Sequence, residues 1–210
     1  MDQPAGDSDE TIELLRQAGC GSRQAFDRLF GRYLLDLHEF VARRLDPRLR
    51  ARIDPSDVVQ ETQLEVLRRL ADFLQRQPMP FRLWLHKTAY ERLLVLHRQH
   101  VGAARRAVGR EVPLPDRSSA LLARQLLAGG STPSHQLSRR ELVRQVQEVV
   151  AGLAEADREV LFMRHYEGLS YQEVACILDI DPAAARKRYG RALLRLHQLL
   201  ADAGLGESSP

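Results

Sequence analysis

The sequence predicts an all-α protein, two helical domains joined by a flexible linker, with the C-terminal domain a helix-turn-helix. Three observations predict it. Aromatic residues make up only 6% of the 210, and long alternating β-branched runs are lacking. Apolar residues recur at i, i+3 and i+4 along most of the chain. The stretch Leu169–Leu193 carries two helix starts around a three-residue corner.

That stretch organises the rest. Ser170 followed by Glu173 is a capping box, and Val174, Ala175 and Leu178 continue it as an apolar stripe. Asp179-Ile180-Asp181 is a short turn. Asp181 can cap the next helix, and Pro182 sits at the first helical position, where its missing N–H costs nothing. On that second helix Ala185, Tyr189, Ala192 and Leu196 should face a core. Ala183, Ala184, Lys187, Gly190 and Arg191 lie roughly opposite, with Arg186 and Arg188 on the flanks. Small residues permit close approach, and arginines can take phosphates or the acceptor pair of guanine. A recognition helix entering a major groove needs both. A solvated basic face is the plainer alternative.

Taken in order, Met1–Gly21 is a flexible start with a short helix, Glu10 to Gln17. Ser22 then caps a helix whose stripe is Ala25, Phe26, Leu29, Phe30, Tyr33, Leu34, Leu37, Phe40 and Val41, ending near Asp46-Pro47. Arg48, Arg50 and Arg52 form a basic connector. Asp54-Pro55-Ser56-Asp57 is a strong second start, and its helix runs to Leu70 with Asp57, Gln60, Glu61 and Arg68 exposed. That polar strip is either solvated surface or a partner site, and the residues alone leave both open. Pro78 and Pro80 break Phe73 to Arg82 into a loop. The helix from Leu83 to His100 combines a stripe (Trp84, Leu85, Ala89, Leu93, Leu96) with basic groups. Basic residues interleaved with aromatics suit single-stranded nucleic acid, although Trp84 also fits a core position.

Glu111 to Leu137 reads as a linker, with a helical turn or two at Ala120–Leu127. From Ser138 a helix carries Leu142, Val146, Val149, Val150 and Leu153, and a second, Ala156 to His165, leads into the corner. Gly204–Pro210 reads as a disordered tail.

Composition narrows the function. A hydrophobic fraction of 44% supports a real core, and a net charge of +3 permits nucleic acid without requiring it. Cys20 and Cys176 stand alone, so neither a disulfide framework nor a cysteine metal site is expected. His97 and His100 have ligand spacing but no third partner. Gly-rich phosphate loops and nucleophile elbows are absent from the sequence, and capping accounts for the paired carboxylates. No catalytic residue, metal or cofactor is expected. The acidic N-terminus has no secretory h-region, and no apolar run approaches the ~18 residues of a membrane span. A cytoplasmic protein without a membrane partner is expected.

Four motifs in order resemble the extracytoplasmic-function (ECF) sigma factors of bacterial RNA polymerase. Ala25–Tyr33 looks like the family's first helix, and Asp57-Val58-Val59-Gln60-Glu61 resembles its Asp-Leu/Val-Val-Gln-Glu signature. Phe81-Arg82-Leu83-Trp84-Leu85 is similar to its Phe-x-x-Trp-Leu, and Glu167–Ala175 to its Glu-Gly-Leu-Ser-Tyr-x-Glu-Ile-Ala. The resemblance implies a region 2-like domain over 22–110 and a region 4-like domain over 138–203, without catalytic activity. It implies core RNA polymerase as partner, through the β′ clamp helices and β flap, together with promoter DNA and, in some settings, an anti-sigma factor. Asp57, Gln60, Glu61 and Arg68 would dock on polymerase. Arg76, Arg82, Trp84, Lys87, Tyr90, Arg92 and Arg98 would line the minus-ten strand, with Phe73 to Arg82 receiving a flipped base. Ser170, Tyr171, Ala183, Ala184, Arg186, Lys187, Arg188 and Arg191 would bind minus-thirty-five duplex. Two departures stand out: Glu91 replaces a common Asn, and Ala183-Ala184-Ala185 replaces Gly-Thr-Val. A stand-alone helix-turn-helix regulator with a helical sensor or dimerisation domain is the alternative; it would bind a palindrome as a dimer.

Overall fold

Caps set the helix boundaries in the computed structural model, which describes residues 6–45, 52–104, 119, 122–123 and 136–205. All regular structure among the described residues is helical. Expectations for Met1–Ala5, Arg48, Arg50, most of the linker and 206–210 lie outside the described residues. The chain divides into two units, Met1–Glu111 with Cys176–Leu178, and Val112–Ala175 with Asp179–Pro210.

In the first unit, helix α1 (Asp9–Gly19) starts where the Ser8 hydroxyl accepts the Thr11 N–H. Helix α2 (Arg23–Arg44) starts likewise, with Ser22 accepting from Ala25. The α1 helix packs along α2 and also touches α3, burying Thr11, Leu14, Leu15 and Ala18. This unit therefore includes the short helix that the sequence reading set apart. On α2 the expected stripe is buried except Tyr33, half-buried, and Leu34, which is 43% exposed because the stripe drifts off the contact face.

Helix α3 (Pro55–Arg76) begins with a full box: Asp54 accepts the Ser56 N–H and Asp57 accepts the Asp54 N–H. Pro55 occupies the first turn. Here the structure corrects the expected loop from Phe73 to Arg82. The α3 helix runs six residues beyond Leu70 and stops at Gln77, whose backbone is left-handed (φ 36°). Its stripe Thr62, Val66, Leu70 and Phe73 stays in phase, so burying Phe73 favours continuing the helix. The connection is only Gln77–Pro80.

Helix α4 (Phe81–Ala104) follows and is the centre of the unit, packed on both α2 and α3. Phe81, Leu83, Trp84, Leu85, His86, Thr88 and Ala89 are all buried, so its first turns are covered all round. The rings of Tyr33 and Phe73 each meet Phe81 at 5.7 Å, and Trp84 stacks on Phe73 at 4.3 Å and 17°. Such pairs add roughly 0.5–1.5 kcal/mol each beyond area burial. His86 stacks on Phe40, and its Nε2 bonds Asp36 at 2.9 Å. That bond, with Arg82 nearby, holds the Asp36 carboxyl below the usual carboxylate range.

In the second unit, helices α5 (Gln136–Ala151) and α6 (Glu155–His165) pack on α8 (Pro182–Asp202). Helix α7 (Tyr171–Leu178) precedes α8. Val146, Val150, Leu153, Val160, Leu161, Phe162 and Met163 are buried with Ala185, Ala192 and Leu196 of α8. In the expected linker, Ser119, Leu122 and Ala123 are helical and buried.

Candidate nucleic-acid interface

The corner between α7 and α8 is built from caps at both sides. Ser170 accepts the Glu173 N–H at 3.2 Å and Glu173 accepts the Ser170 N–H at 2.8 Å. Asp179 ends α7 in the left-handed region (φ 56°), a conformation Asp tolerates better than most residues. Asp181 accepts the Ala184 N–H at 2.9 Å, and Pro182 opens α8. Each cap stabilises its helix by about 1 kcal/mol, and together they hold the angle at which α8 leaves the corner.

The α8 faces fall as expected. Ala185 and Ala192 are fully buried and Leu196 nearly so, while Ala183, Arg186, Lys187 and Arg191 are exposed. Tyr189 is half-buried, its hydroxyl bonded to His165 Nε2 at 2.9 Å. Burial, then the neighbouring Arg164, holds His165 below the ordinary imidazole range, which disfavours a charge there. Ala184 and Gly190 leave a hollow of ≈ 430 Å³ flanked by Lys187, Arg188 and Arg191. The guanidiniums of Arg164 and Arg186 both lie over the Tyr171 ring, at 4.3 and 5.2 Å. Tyr171 therefore steadies Arg186, a contribution of about 0.5–1 kcal/mol for an exposed pair. The Ser170 expectation is corrected: its side chain is buried and committed to the cap, so it offers no surface.

The expected minus-ten residues do not share one face. Lys87, Tyr90 and Arg98, with Leu94 between, follow the spacing of a single stripe on α4. Arg82 is directed instead to Asp36 of α2, 3.9 Å away. Arg92 pairs with Glu61 of α3, and Glu91 takes Arg69 at 3.1 Å. Arg76 is exposed at the end of α3. Trp84 is corrected outright. It is 5% exposed and stacked in the core, so no ring face is left for a base.

On α3, Asp57, Gln60, Glu61 and Arg68 are exposed as expected. The sequence reading missed two members of the same strip. Leu64 and Leu67 are 56% and 48% exposed, and Leu64 lies seven residues after Asp57. That spacing was the available signal: an apolar residue in phase with the polar strip rather than with the core. Among the described residues no cluster of His, Cys, Asp or Glu could hold a metal, and no helix is long and apolar enough to cross a membrane.

The family described as Sigma-70, region 4 matches residues 143–196, which take in α6, the corner and most of α8. Over 200 residues the chain is 28% identical to the ECF RNA polymerase sigma factor SigK of Mycobacterium ulcerans, across 95% of this chain and 98% of that one. It is 29% identical over 187 residues to the ECF RNA polymerase sigma-E factor of Escherichia coli (strain K12), across 85% and 88%. The chain carries a Sigma-70, region 4 segment and is similar to ECF sigma factors over most of its length. Its fold agrees. The structure of CnrH in complex with the cytosolic domain of CnrY matches with a TM-score of 0.56 and 25% identity, covering 92% of this chain and 99% of that one. RpoE of Bartonella quintana, solved with the anti-sigma factor NepR, matches at 0.54 over 83% and 98%; at 16% identity it speaks for the fold alone. The matched region-4 segment includes the whole exposed cationic face of α8 from Ala183 to Arg191.

Proposed function

We propose that this chain is a promoter-specificity subunit: it binds core RNA polymerase and directs initiation, with no reaction of its own. The observation that carries the reading is the helix-turn-helix with its small, cationic, exposed α8 face, inside the segment matched as Sigma-70, region 4. Arg186, Lys187, Arg188 and Arg191, with Ala183 and Ala184 admitting close approach, would grip and read the minus-thirty-five duplex. The α3 strip, Asp57, Gln60, Glu61, Leu64, Leu67 and Arg68, has the make-up of a protein-docking surface, an apolar centre within a polar rim. Its partner would be the β′ clamp helices, and the second unit would reach the β flap. Lys87, Tyr90 and Arg98 of α4, with Arg76 and the loop Gln77–Pro80, would hold the minus-ten strand once a base has left the stack. An anti-sigma factor, as in the solved complex of RpoE with NepR, would compete for these same faces. Linking the units makes the second DNA contact intramolecular once the first has formed.

The test is transcription. Core polymerase with and without this chain is offered sheared genomic DNA of the source organism, and RNA start sites are mapped. The expected result is a set of starts that appears only with the chain and shares two upstream elements. Identical starts with and without it would sink the reading.

A further inference from the structure

The amide that opens α4 is held by a residue from the far end of the unit. Pro80, which precedes the helix, has no side-chain oxygen to serve as a cap. Both carboxylate oxygens of Asp7 accept the Phe81 N–H instead, at 2.9 and 3.0 Å, from 74 residues away in sequence. A second thread runs beside the first. Ser8 Oγ bonds Thr11 Oγ1 at 3.1 Å, and Thr11 Oγ1 bonds the Tyr33 hydroxyl at 3.0 Å. The Tyr33 ring sits edge-on to Phe81 at 5.7 Å. Phe81 is fully buried, so this thread ends in the aromatic cluster beneath Gln77–Pro80. The four-residue connection is thus fixed at one side by the left-handed Gln77 and at the other by the N-terminal segment.

We infer that Asp7 is a positioning residue for strand recognition: the Asp7–Phe81 bond, with the Ser8–Thr11–Tyr33 thread beside it, sets the shape of the loop Gln77–Pro80 that meets the minus-ten strand. This rests on the promoter reading above. An anionic group at a helix N-terminus satisfies an orphan N–H and complements the helix dipole. Removing it frees the first turn of α4 to fray, and the loop hinged on that turn loses its fixed geometry. The α3 strip and α8 are not part of this thread, so polymerase docking and duplex binding should not follow the change.

The experiment uses full-length chain in holoenzyme with core polymerase. The probe is a labelled single strand carrying the non-template minus-ten region of a promoter mapped by the transcription test. Asp7→Ala should weaken strand binding about five-fold, the equilibrium factor equivalent to the ~1 kcal/mol by which a helix cap stabilises its helix. Asp7→Asn keeps an acceptor oxygen and should restore most of the binding. Affinity for core polymerase and for the upstream duplex should stay within twofold of the original, which a general loss of folding would not allow. Tyr33→Phe keeps the ring but cuts the thread, and should fall between the two. Strand binding by Asp7→Ala equal to the original would overturn the inference and leave the promoter reading standing. Equal losses of strand, polymerase and duplex binding would also overturn it, by making Asp7 merely structural. An original holoenzyme that does not hold the strand would overturn both.

Discussion

Replacing Trp84 with alanine should destabilise the first unit by about 3–5 kcal/mol, the usual range for emptying a large aromatic site from a core. The chain has a single tryptophan, and it stacks on Phe73 while leaning on Phe81 at 5.9 Å. Alanine would remove contacts from α3 and from the helix's own first turn together. Domains of this size hold only about 5–15 kcal/mol in all, so urea unfolding followed by far-ultraviolet circular dichroism should show a much lower midpoint. Trp84→Phe, which refills most of the site, should recover most of the loss. The same residue provides a second readout. Its emission should be that of a buried indole and should not be quenched by single-stranded DNA. Strong quenching, with an unchanged urea midpoint for Trp84→Ala, would return it to the DNA surface.

Reversing two charges on α8, Lys187→Glu with Arg191→Glu, should cut holoenzyme affinity for a mapped promoter duplex by roughly 10²-fold at about 0.1 M salt. Each phosphate contact that releases a counterion contributes about 0.9 log units there, and the salt slope should flatten by about two. Both side chains are exposed, so folding should be unaffected. Arg144→Glu on α5, where Arg144 lies between Glu141 and Glu148, is the control and should leave DNA binding alone. A salt slope unchanged by the double reversal would remove α8 from the interface.

What the sequence disclosed and what it hid follow from range. Ser22, Asp54 with Asp57, Ser170 with Glu173, and Asp181 with Pro182 cap amides within three residues, and each start was legible. The buried faces of α8 and of α4 were legible for the same reason, since i, i+3 and i+4 spacing is local. At the end of α3 two local signals conflict: Pro78 and Pro80 point to a loop, while the buried stripe stays in phase through Phe73 and wins. Leu64 and Leu67 show in the sequence only through their phase with the polar strip, a weaker signal than a cap or a core stripe. The pairs Arg92–Glu61, Arg82–Asp36 and Phe81–Asp7 join residues 31, 46 and 74 apart. Nothing in a linear pattern selects such partners; the packing of α2 and α3 on α4, and of the segment before α1 against the first residue of α4, does. Two expected DNA contacts were thereby turned toward neighbouring helices, and Lys87, Tyr90 and Arg98 were left as the coherent stripe.

The central claim is that the outer face of α3 docks on RNA polymerase, and co-elution tests it most directly. Asp57 caps α3 and Glu61 holds Arg92, so changes there would disturb structure as well as surface. Gln60→Arg with Leu64→Asp alters only the exposed strip. The original chain should co-elute with core polymerase in equal amounts, and the double variant, equally helical and equally stable, should bind at least about tenfold more weakly, as expected when central interface side chains are lost. A well-folded original chain that elutes apart from polymerase, or a double variant that binds as tightly as the original, would contradict the account.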